Sequence, residues 1–353
     1  MAAIAQQVEG KQKAKSKIPS WFKTENILYP VRLSMEQCSS EQTAQYKANI
    51  CLGKRFIDLT GGFGVDTYFI SQSFKEGVHC ELNEELQYIA QHNFKTLGSG
   101  IQSFHQNGLE YLQTVQEKFD LIYIDPARRN ENNQKVIQLA DYTPNILENL
   151  NLLFEKGKQI LVKVAPLLDI KQVLNELPHV KEIHIVSLKN ECKEVLYLLD
   201  KEYDGEAKLH CVNIDKSKYK FTYSKEEKSA PLSEPLSYLY EPNASILKAG
   251  GFNSIAQDFN LQKLHPNSHL YTTQELVTDF PGRTFKIDAI CKYNKKDLLQ
   301  HLPKKKANIT RRNFPVSVAD IRKKTGIKEG GEHYLFATTL NDNKPKILIC
   351  SKI

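Results

Sequence analysis

Between residues 55 and 200 the chain alternates short β-rich runs with helix-like stretches, and the alternation ends in two strand-like runs with almost nothing between them. "RFIDL" and "GVHCEL" lead into helical sequence, the second into "NEELQYIAQHNFKTL". "IQSFHQ" leads to "GLEYLQTV", "FDLIYIDP" leads through a polar loop to "VIQLADYTPNILENLNLLF", and "KQILVKVAP" leads to "DIKQVLNEL". Such alternation argues a parallel sheet with helices on both faces, because each crossover must carry the chain back over the sheet. The last two runs, "VKEIHIVSL" and "KEVLYLLD", are separated only by "KNEC". They predict an antiparallel hairpin at the sheet edge. A plain dinucleotide-binding domain would continue instead with another right-handed crossover.

The first strand runs into "DLTGGFGVD", Asp58 to Asp66. Glycines between a strand and a helix leave backbone N–H groups free and allow close approach of a ligand. The fingerprint G-x-G-x-x-G can be laid from Gly62, but its third small position is Thr67, which spoils tight helix–strand packing over a pyrophosphate. No Gly-Lys-Ser/Thr follows, so the P-loop fails as well. Asp58 would repel a diphosphate and suits a cationic or amine-bearing ligand. Further polar residues stand at successive strand ends: Glu81, where such folds place an acid on ribose hydroxyls, and Asn107, whose amide matches an adenine edge. "DPARR", Asp125 to Arg129, follows the fourth strand at the edge where open α/β sheets bind ligands. Competing readings exist for two of these. Glu81 also fits a solvated acid just ahead of the helix that "NEEL" begins, and Asn107 also fits a turn before Gly108. Asp66 and Thr67 read best as first-turn residues that help to cap their helix.

At 353 residues with 41% hydrophobic content, the chain is long enough for two or three units. No run approaches the roughly 20 apolar residues needed to cross a bilayer, and "MAAIAQQVEGKQKAKSK" lacks a signal-peptide core. The seven cysteines include no C-x-x-C pair, which points to a reduced, cytoplasmic protein without a metal site. No obligate protein partner is evident. The net charge of +7 is uneven: "KQKAKSK" opens the chain, and "KYNKK", "LPKKKANITRR" and "IRKK" crowd its end. Such clusters suit a polyanion, nucleic acid before membrane, against the plainer reading of solvated surface lysine. Around "DKEYDGEAK" and "DKSKYKFTYSKEEKSAPLSEP" the composition turns charged and Pro/Ser-rich, an exit from the first domain. Beyond about Pro235 an α+β pattern follows, with Ser317 and Asp320 starting a helix, Gly326 stopping it, and "HYLFATT" a strand.

Residues 35–200 resemble a class I S-adenosyl-L-methionine-dependent methyltransferase. "EQCSSEQTAQYKA", "DLTGGFGVD", "IDPARR", "KVAPLLD" and "ECKEVL" resemble, more narrowly, a bacterial methyltransferase family with a C-terminal THUMP-like domain. "TRRNFPVSVADIRKKTGIKEGGEHYLFATT" is similar to that domain, and "YLYEPNASILKAGGFNSIA" to the small ferredoxin-like segment before it. The resemblance implies a Rossmann-like α/β sheet with a terminal antiparallel hairpin, plus a smaller C-terminal α+β region. It implies an N-terminal helical or extended segment over 1–50 and a methyltransferase domain over 51–230. A ferredoxin-like segment over 231–280 and a THUMP-like domain over 281–353 follow. Members often carry more helix at the front, so an N-terminally shortened version is expected.

The same resemblance implies that Asp58, Thr60, Gly61, Gly62, Gly64, Glu81 and Asn107 hold S-adenosyl-L-methionine. Asp58 would serve the amino end, the glycines the methionine moiety, Glu81 the ribose and Asn107 the adenine. Asp125, Pro126 and Arg128 would form the methyl-transfer site, with Asp125 orienting the acceptor or taking its proton. Ala127 and Arg128 depart from the D/N-P-P-Y/F/W pattern of amine methylation; Arg128 could stack on a base or bind phosphate. Lys163 and Asp169 read either as pocket lining or as ordinary loop charges, and Cys192 as a turn residue. Lys304, Lys305, Lys306, Arg311 and Arg312 are the candidate contacts to RNA phosphates, RNA being the substrate expected by analogy with the family. The rival readings are a catalytically idle RNA-binding protein and a methyltransferase acting on DNA, protein or a small molecule.

Overall fold

The computed structural model describes residues 2–127, 138–215, 219–224 and 229–353. The chain divides into two compact units, Met1–Leu209 and His210–Ile353. In the first, helices α1 (Ala2–Lys17), α2 (Pro19–Lys23), α3 (Arg32–Gln37) and α4 (Glu41–Ala48) precede the sheet. There follow β1 (Gly53–Asp58), α5 (Val65–Ser71), β2 (Phe74–Glu81), α6 (Glu84–Thr96), β3 (Gln102–His105), α7 (Gly108–Thr114), β4 (Phe119–Ile124) and α8 (Ile146–Lys156). β5 (Gly157–Val164), α9 (Ile170–Glu176), β6 (Val180–Leu188) and β7 (Glu191–Asp200) complete it.

These strands lie in the order β3-β2-β1-β4-β5-β7-β6. Pairing is parallel through β5. β7 then runs antiparallel between β5 and β6. The predicted hairpin is present, but its turn is only Lys189 and Asn190, both at positive φ (52° and 61°). Backbone of that hand matches the strand twist in a two-residue loop. Cys192 is therefore a strand residue opposite Ser187, not a turn residue. The helix expected over "VIQLADYTPNILENLNLLF" is shorter than its apolar sequence suggests. Asn145 caps α8, accepting the N–H groups of Leu147 and Glu148 at 3.0 and 3.4 Å, so the helix starts only at Ile146. Side-chain capping thus set this start where apolar periodicity did not.

The N-terminal helices have a structural task. Ile18, Trp21, Tyr29, Met35 and Ala44 pack with Phe63, Val65 and Phe69 in one buried cluster, so α1–α4 lie against the glycine turn and α5. Among the described residues no helix is long and apolar enough to cross a membrane.

The second unit takes up the chain within β8 (Lys208–Ile214), whose neighbour is β9 (Tyr219–Tyr223). β10 (Tyr238–Pro242), α10 (Ala244–Ala249), α11 (Ser254–Asp258), β11 (Gln262–Lys263), β12 (Tyr271–Thr273) and β13 (Gly282–Cys291) follow. Then come α12 (Lys295–His301), β14 (Asn308–Arg312), α13 (Val318–Thr325), β15 (His333–Thr339) and β16 (Pro345–Lys352). A seven-stranded sheet runs β11-β12-β10-β13-β16-β15-β14. The sequence signals for α13 hold: Ser317 Oγ accepts the Asp320 N–H at 3.1 Å, and Gly326 ends the helix at φ 76°. α13 connects β14 to the parallel β15, and Ile321, Leu335, Ala337 and Ile347 share its core.

Candidate active site

The carboxyl ends of β1, β2 and β4 converge on the turn Leu59–Gly64. Asp58 closes β1 with 1% of its surface exposed. Its Oδ1 accepts the Thr60 N–H at 2.9 Å, and its Oδ2 accepts Thr67 Oγ1 at 2.7 Å. Burial pushes the Asp58 carboxyl up to about 7, against the pull of those two donors. Asp58 therefore shapes the turn from inside. Thr67, read from sequence as a helix cap, is instead the hydroxyl that fixes this acid, because its side chain points inward and is fully buried.

Two glycines of the turn are required by geometry. A Cβ on Gly61 would lie 2.1 Å from His79 Cδ2, inside the buried imidazole on β2. Gly64 starts α5 at φ 84°, in the left-handed region that side chains avoid. His79 is wedged beneath the turn, its Nδ1 3.0 Å from Ser103 Oγ and its Nε2 3.3 Å from the Gly62 carbonyl. Burial holds it down to about 4, so it is neutral at physiological pH.

Glu81 bridges the turn to α6. One carboxylate oxygen accepts the Gly62 N–H at 2.7 Å and the other the Asn83 N–H at 2.7 Å. Asn107 is the N-cap of α7, with Oδ1 accepting the Leu109 N–H at 2.9 Å. The Asp125 N–H donates to Thr60 Oγ1 at 2.7 Å, joining the "DPARR" loop to the glycine turn. Pro126 is buried, and the Ala127 backbone exchanges hydrogen bonds of 2.7 and 3.1 Å with Thr143. Arg128 lies outside the described residues.

Sequence reading missed the chain of charges behind Asp125. Lys163, on β5, donates to Asp125 Oδ2 at 2.6 Å and lies 3.7 Å from Asp66 Oδ2. Asp66 in turn accepts Ser39 Oγ at 2.7 Å and Tyr123 OH at 2.9 Å, and pairs with Lys47 at 3.1 Å. Lys47, fully buried, donates to both oxygens of buried Glu194 at 2.7 and 2.8 Å. Burial disfavours the Lys163 ammonium, but Asp125, Asp66 and Glu194 outweigh it and hold the group above its usual value. Burial likewise opposes ionisation of Asp66, yet the two lysines and Ser39 hold it below the usual carboxylate range. For Glu194 burial prevails over Lys47, and the group is raised. Asp66 is thus no helix cap: its first-turn position faces inward, where ammonium groups outbid backbone N–H. The available signal was charge inside apolar runs, Lys163 in "QILVKVAP" and Glu194 in "KEVLYLLD". Asp169, by contrast, is the N-cap of α9, accepting the Lys171 and Gln172 N–H groups at 2.9 and 3.0 Å.

In the second unit Lys304, Lys305, Lys306 and Arg311 are exposed. Arg312 is not free: its Nε donates to Oε1 of buried Glu241 at 3.0 Å. Arg283 takes the other oxygen through Nε at 2.7 Å and through Nη2.

A sheet ordered 3-2-1-4-5-7-6 with only strand 7 antiparallel, a glycine turn after its first strand and an acid at the end of its second define a methyltransferase of the Rossmann-like class I type. The sequence matches, in order, the families described as "Conserved hypothetical protein 95" over residues 42–175, "ferredoxin-like domain" over 238–281 and "THUMP domain-like" over 282–352. A "putative methyltransferase from Porphyromonas gingivalis W83" superimposes with a TM-score of 0.92 at 34% identity, over 99% of this chain and 90% of that one. The chain belongs to that methyltransferase family, with its C-terminal THUMP-like domain and preceding small ferredoxin-like domain. M. capricolum TrmK, solved with S-adenosyl-homocysteine, aligns at a TM-score of 0.36 and 16% identity over 46% of this chain and 68% of that one. Pyrococcus abyssi tRNA (uracil-54, C5)-methyltransferase, also with S-adenosyl-L-homocysteine, aligns at 0.35 and 16% over 45% and 37%. Similarity that low extends no property to this chain. No curated protein sequence matched it.

Proposed function

We propose that this chain is an S-adenosyl-L-methionine-dependent methyltransferase that modifies a base in RNA. One observation carries the reading: Asp58, the glycine turn, Glu81 and Asp125 are joined into a single hydrogen-bonded rim at the carboxyl ends of three adjacent parallel strands. The donor set fits the cofactor. Above Gly62 a Cβ would meet no atom closer than 4.0 Å, so the turn presents open backbone to a ligand. Acids rim that space, which suits an amino acid's ammonium, a ribose and a sulfonium and repels a diphosphate. Asp58 and Thr60 hold the turn in shape, and Gly61, Gly62 and Gly64 provide close approach. Glu81 accepts ribose hydroxyls, and the Asn107 amide meets the adenine.

When bound, the cofactor supplies an electrophilic methyl group. Methyl transfer then needs in-line positioning and a place for the acceptor's proton. Asp125 accepts an N–H of the target base, and Pro126 fixes the loop that presents it. Arg128, outside the described residues, is assigned to stacking or to a phosphate. Residues 51–230 form the catalytic domain in this reading, while 231–280 and 281–353 capture substrate. The THUMP domain-like match and the exposed Lys304, Lys305, Lys306 and Arg311 support RNA as that substrate.

Calorimetric titration with S-adenosylmethionine, S-adenosylhomocysteine and NAD tests the cofactor. Saturable binding of the first two and none of NAD is expected, and NAD binding alone would overturn the assignment. Mass spectrometry of RNA nucleosides from cells with and without the gene tests the substrate. An unchanged nucleoside profile, with a changed one in DNA or protein, would move the substrate elsewhere.

A further inference from the structure

Two lysines and three acids packed together beneath a rim of polar residues are an expensive arrangement. Each ion loses its water, and a well-packed apolar cluster is often at least as stable. Lys47 and Glu194 are buried, and the Lys163 and Asp66 side chains are only 14% and 11% exposed. Asp125, at 37%, is the one member of the five that reaches outward. The chain Glu194–Lys47–Asp66–Lys163–Asp125 therefore leads from the interior to the loop where the proposed reaction takes place, through alternating charges.

Resting on the cofactor reading above, we propose that Lys163 is a positioning residue for methyl transfer. It pins one oxygen of Asp125 inward and supplies its counter-charge, so that the other oxygen faces the transferring methyl and the acceptor. Ser39 and Asp66 place the Lys163 ammonium, with Ser39 Oγ 3.4 Å from Nζ. Asp66 is itself held by Ser39, Tyr123 and Lys47, and Lys47 by Glu194. Five elements thus fix a single ammonium: the segment ahead of α4, α4 itself, α5, β4 and β7.

Without Lys163, the carboxylates of Asp125 and Asp66 would face each other with no cation between them. A neighbouring carboxylate, with the intervening cation removed, opposes ionisation of Asp125. The other groups acting on this position are Asp58 on β1, Tyr123 on β4, Glu194 on β7, Lys47 on α4, Lys17 on α1 and Cys38 before α4. Asp58 is already pushed up by burial and adds little negative charge below about pH 7. Lys47 is shared between Glu194 and Asp66 and makes no contact with Asp125, so neither group replaces the ammonium that Asp125 loses.

The test compares sinefungin, which carries an amine at the position of the sulfonium methyl, with S-adenosylhomocysteine, which carries nothing there. Affinities for both are measured by calorimetry from pH 5.5 to 8 on full-length wild type, Lys163→Met, Lys163→Arg and Asp125→Asn. Wild type should prefer sinefungin at least tenfold, with little change over that range. Lys163→Met should keep its S-adenosylhomocysteine affinity within about twofold, yet lose at least fivefold of the preference at pH 6 relative to pH 8. Lys163→Arg should restore the flat profile, and Asp125→Asn should abolish the preference at every pH. If Lys163→Met retains the wild-type preference and profile, Lys163 only supports the fold, and the proposal is wrong. If Lys163→Met does not fold, a preference surviving in Asp125→Asn overturns the proposal on its own. Wild type that binds neither compound would bring down the cofactor reading itself, an outcome distinct from the other two.

Discussion

Lys47 offers the sharpest test of the buried charges, because methionine keeps most of its aliphatic length and removes only the ammonium. In Lys47→Met, Asp66 still receives Ser39 and Tyr123 and lies 3.7 Å from Lys163. Glu194 fares worse, since both of its oxygens lose their partner at 2.7 and 2.8 Å. Removing one member of a buried pair costs about 3–5 kcal/mol. Against a total stability of about 5–15 kcal/mol this is a large fraction. At about 2–4 °C per kcal/mol for a domain of this size, the melting temperature should fall by on the order of 6–20 °C. The loss should depend on pH. Burial already raises Glu194, and the variant removes the main opposing charge. A carboxyl raised in the folded state favours folding at low pH, and that contribution is lost as pH rises through its folded value. The deficit of Lys47→Met should therefore be smaller at pH 5.5 than at pH 8. Urea denaturation at both pH values, extended to Glu194→Gln and the double variant, provides the assay. The double variant should recover more than half of the loss, because neither charge is then left alone. A loss within about 0.5 kcal/mol, the range of an ordinary surface change, or strictly additive single costs, would refute the argument.

Glu81→Ala should weaken S-adenosylmethionine binding by about 1.5–3 kcal/mol, the scale of a hydrogen bond to a charged group; unchanged affinity in calorimetry would remove Glu81 from the cofactor site. Arg311 and Arg312 should separate cleanly. Arg311→Ala should leave the melting temperature unchanged and flatten the log–log salt dependence of RNA binding by about 0.7 for each single-strand phosphate that the arginine neutralises. Arg312→Ala should lower the melting temperature, because it strips buried Glu241 of one of its two guanidiniums; an unshifted melting curve would show that this pair is dispensable.

The order of strands and helices in the first unit was readable because each element announces itself locally. Apolar runs mark β1 to β5, and a short polar break marks the hairpin between β6 and β7; in the second unit, capping residues mark α13. The rim was readable for a related reason: Asp58, Glu81 and Asp125 all stand at strand ends, where an open parallel sheet binds ligands. What local reading could not show was which charges meet in space. Asp66 sits where a helix cap belongs, and only its partners on α4, β4 and β5 reveal it as an interior acid. Nothing in the stretch "EQTAQYKA" sets Lys47 apart as a buried lysine. Arg312 looked like its exposed neighbour Arg311, and nothing nearby in sequence announced Glu241, 71 residues away.

The pairing of Lys47 with Glu194 spans 147 residues, and this bears on how the chain folds while it is being made. At about 5–20 residues per second, roughly 7–30 s separate synthesis of the lysine from synthesis of its counter-ion. During that interval the helical segment before β1 can reach the glycine turn only by burying an ammonium that has Asp66 at 3.1 Å but lacks the carboxylate that takes two of its hydrogen bonds. Docking of α4 is therefore tied to the arrival of β7, the strand that completes the hairpin, and the N-terminal segment becomes a late clasp on an early-forming sheet. Ribosome-arrested chains stopped before Glu191 should leave α1–α4 open to protease, and chains extended well beyond Asp200 should protect them. Equal protection in both would show that the clasp closes without its counter-ion.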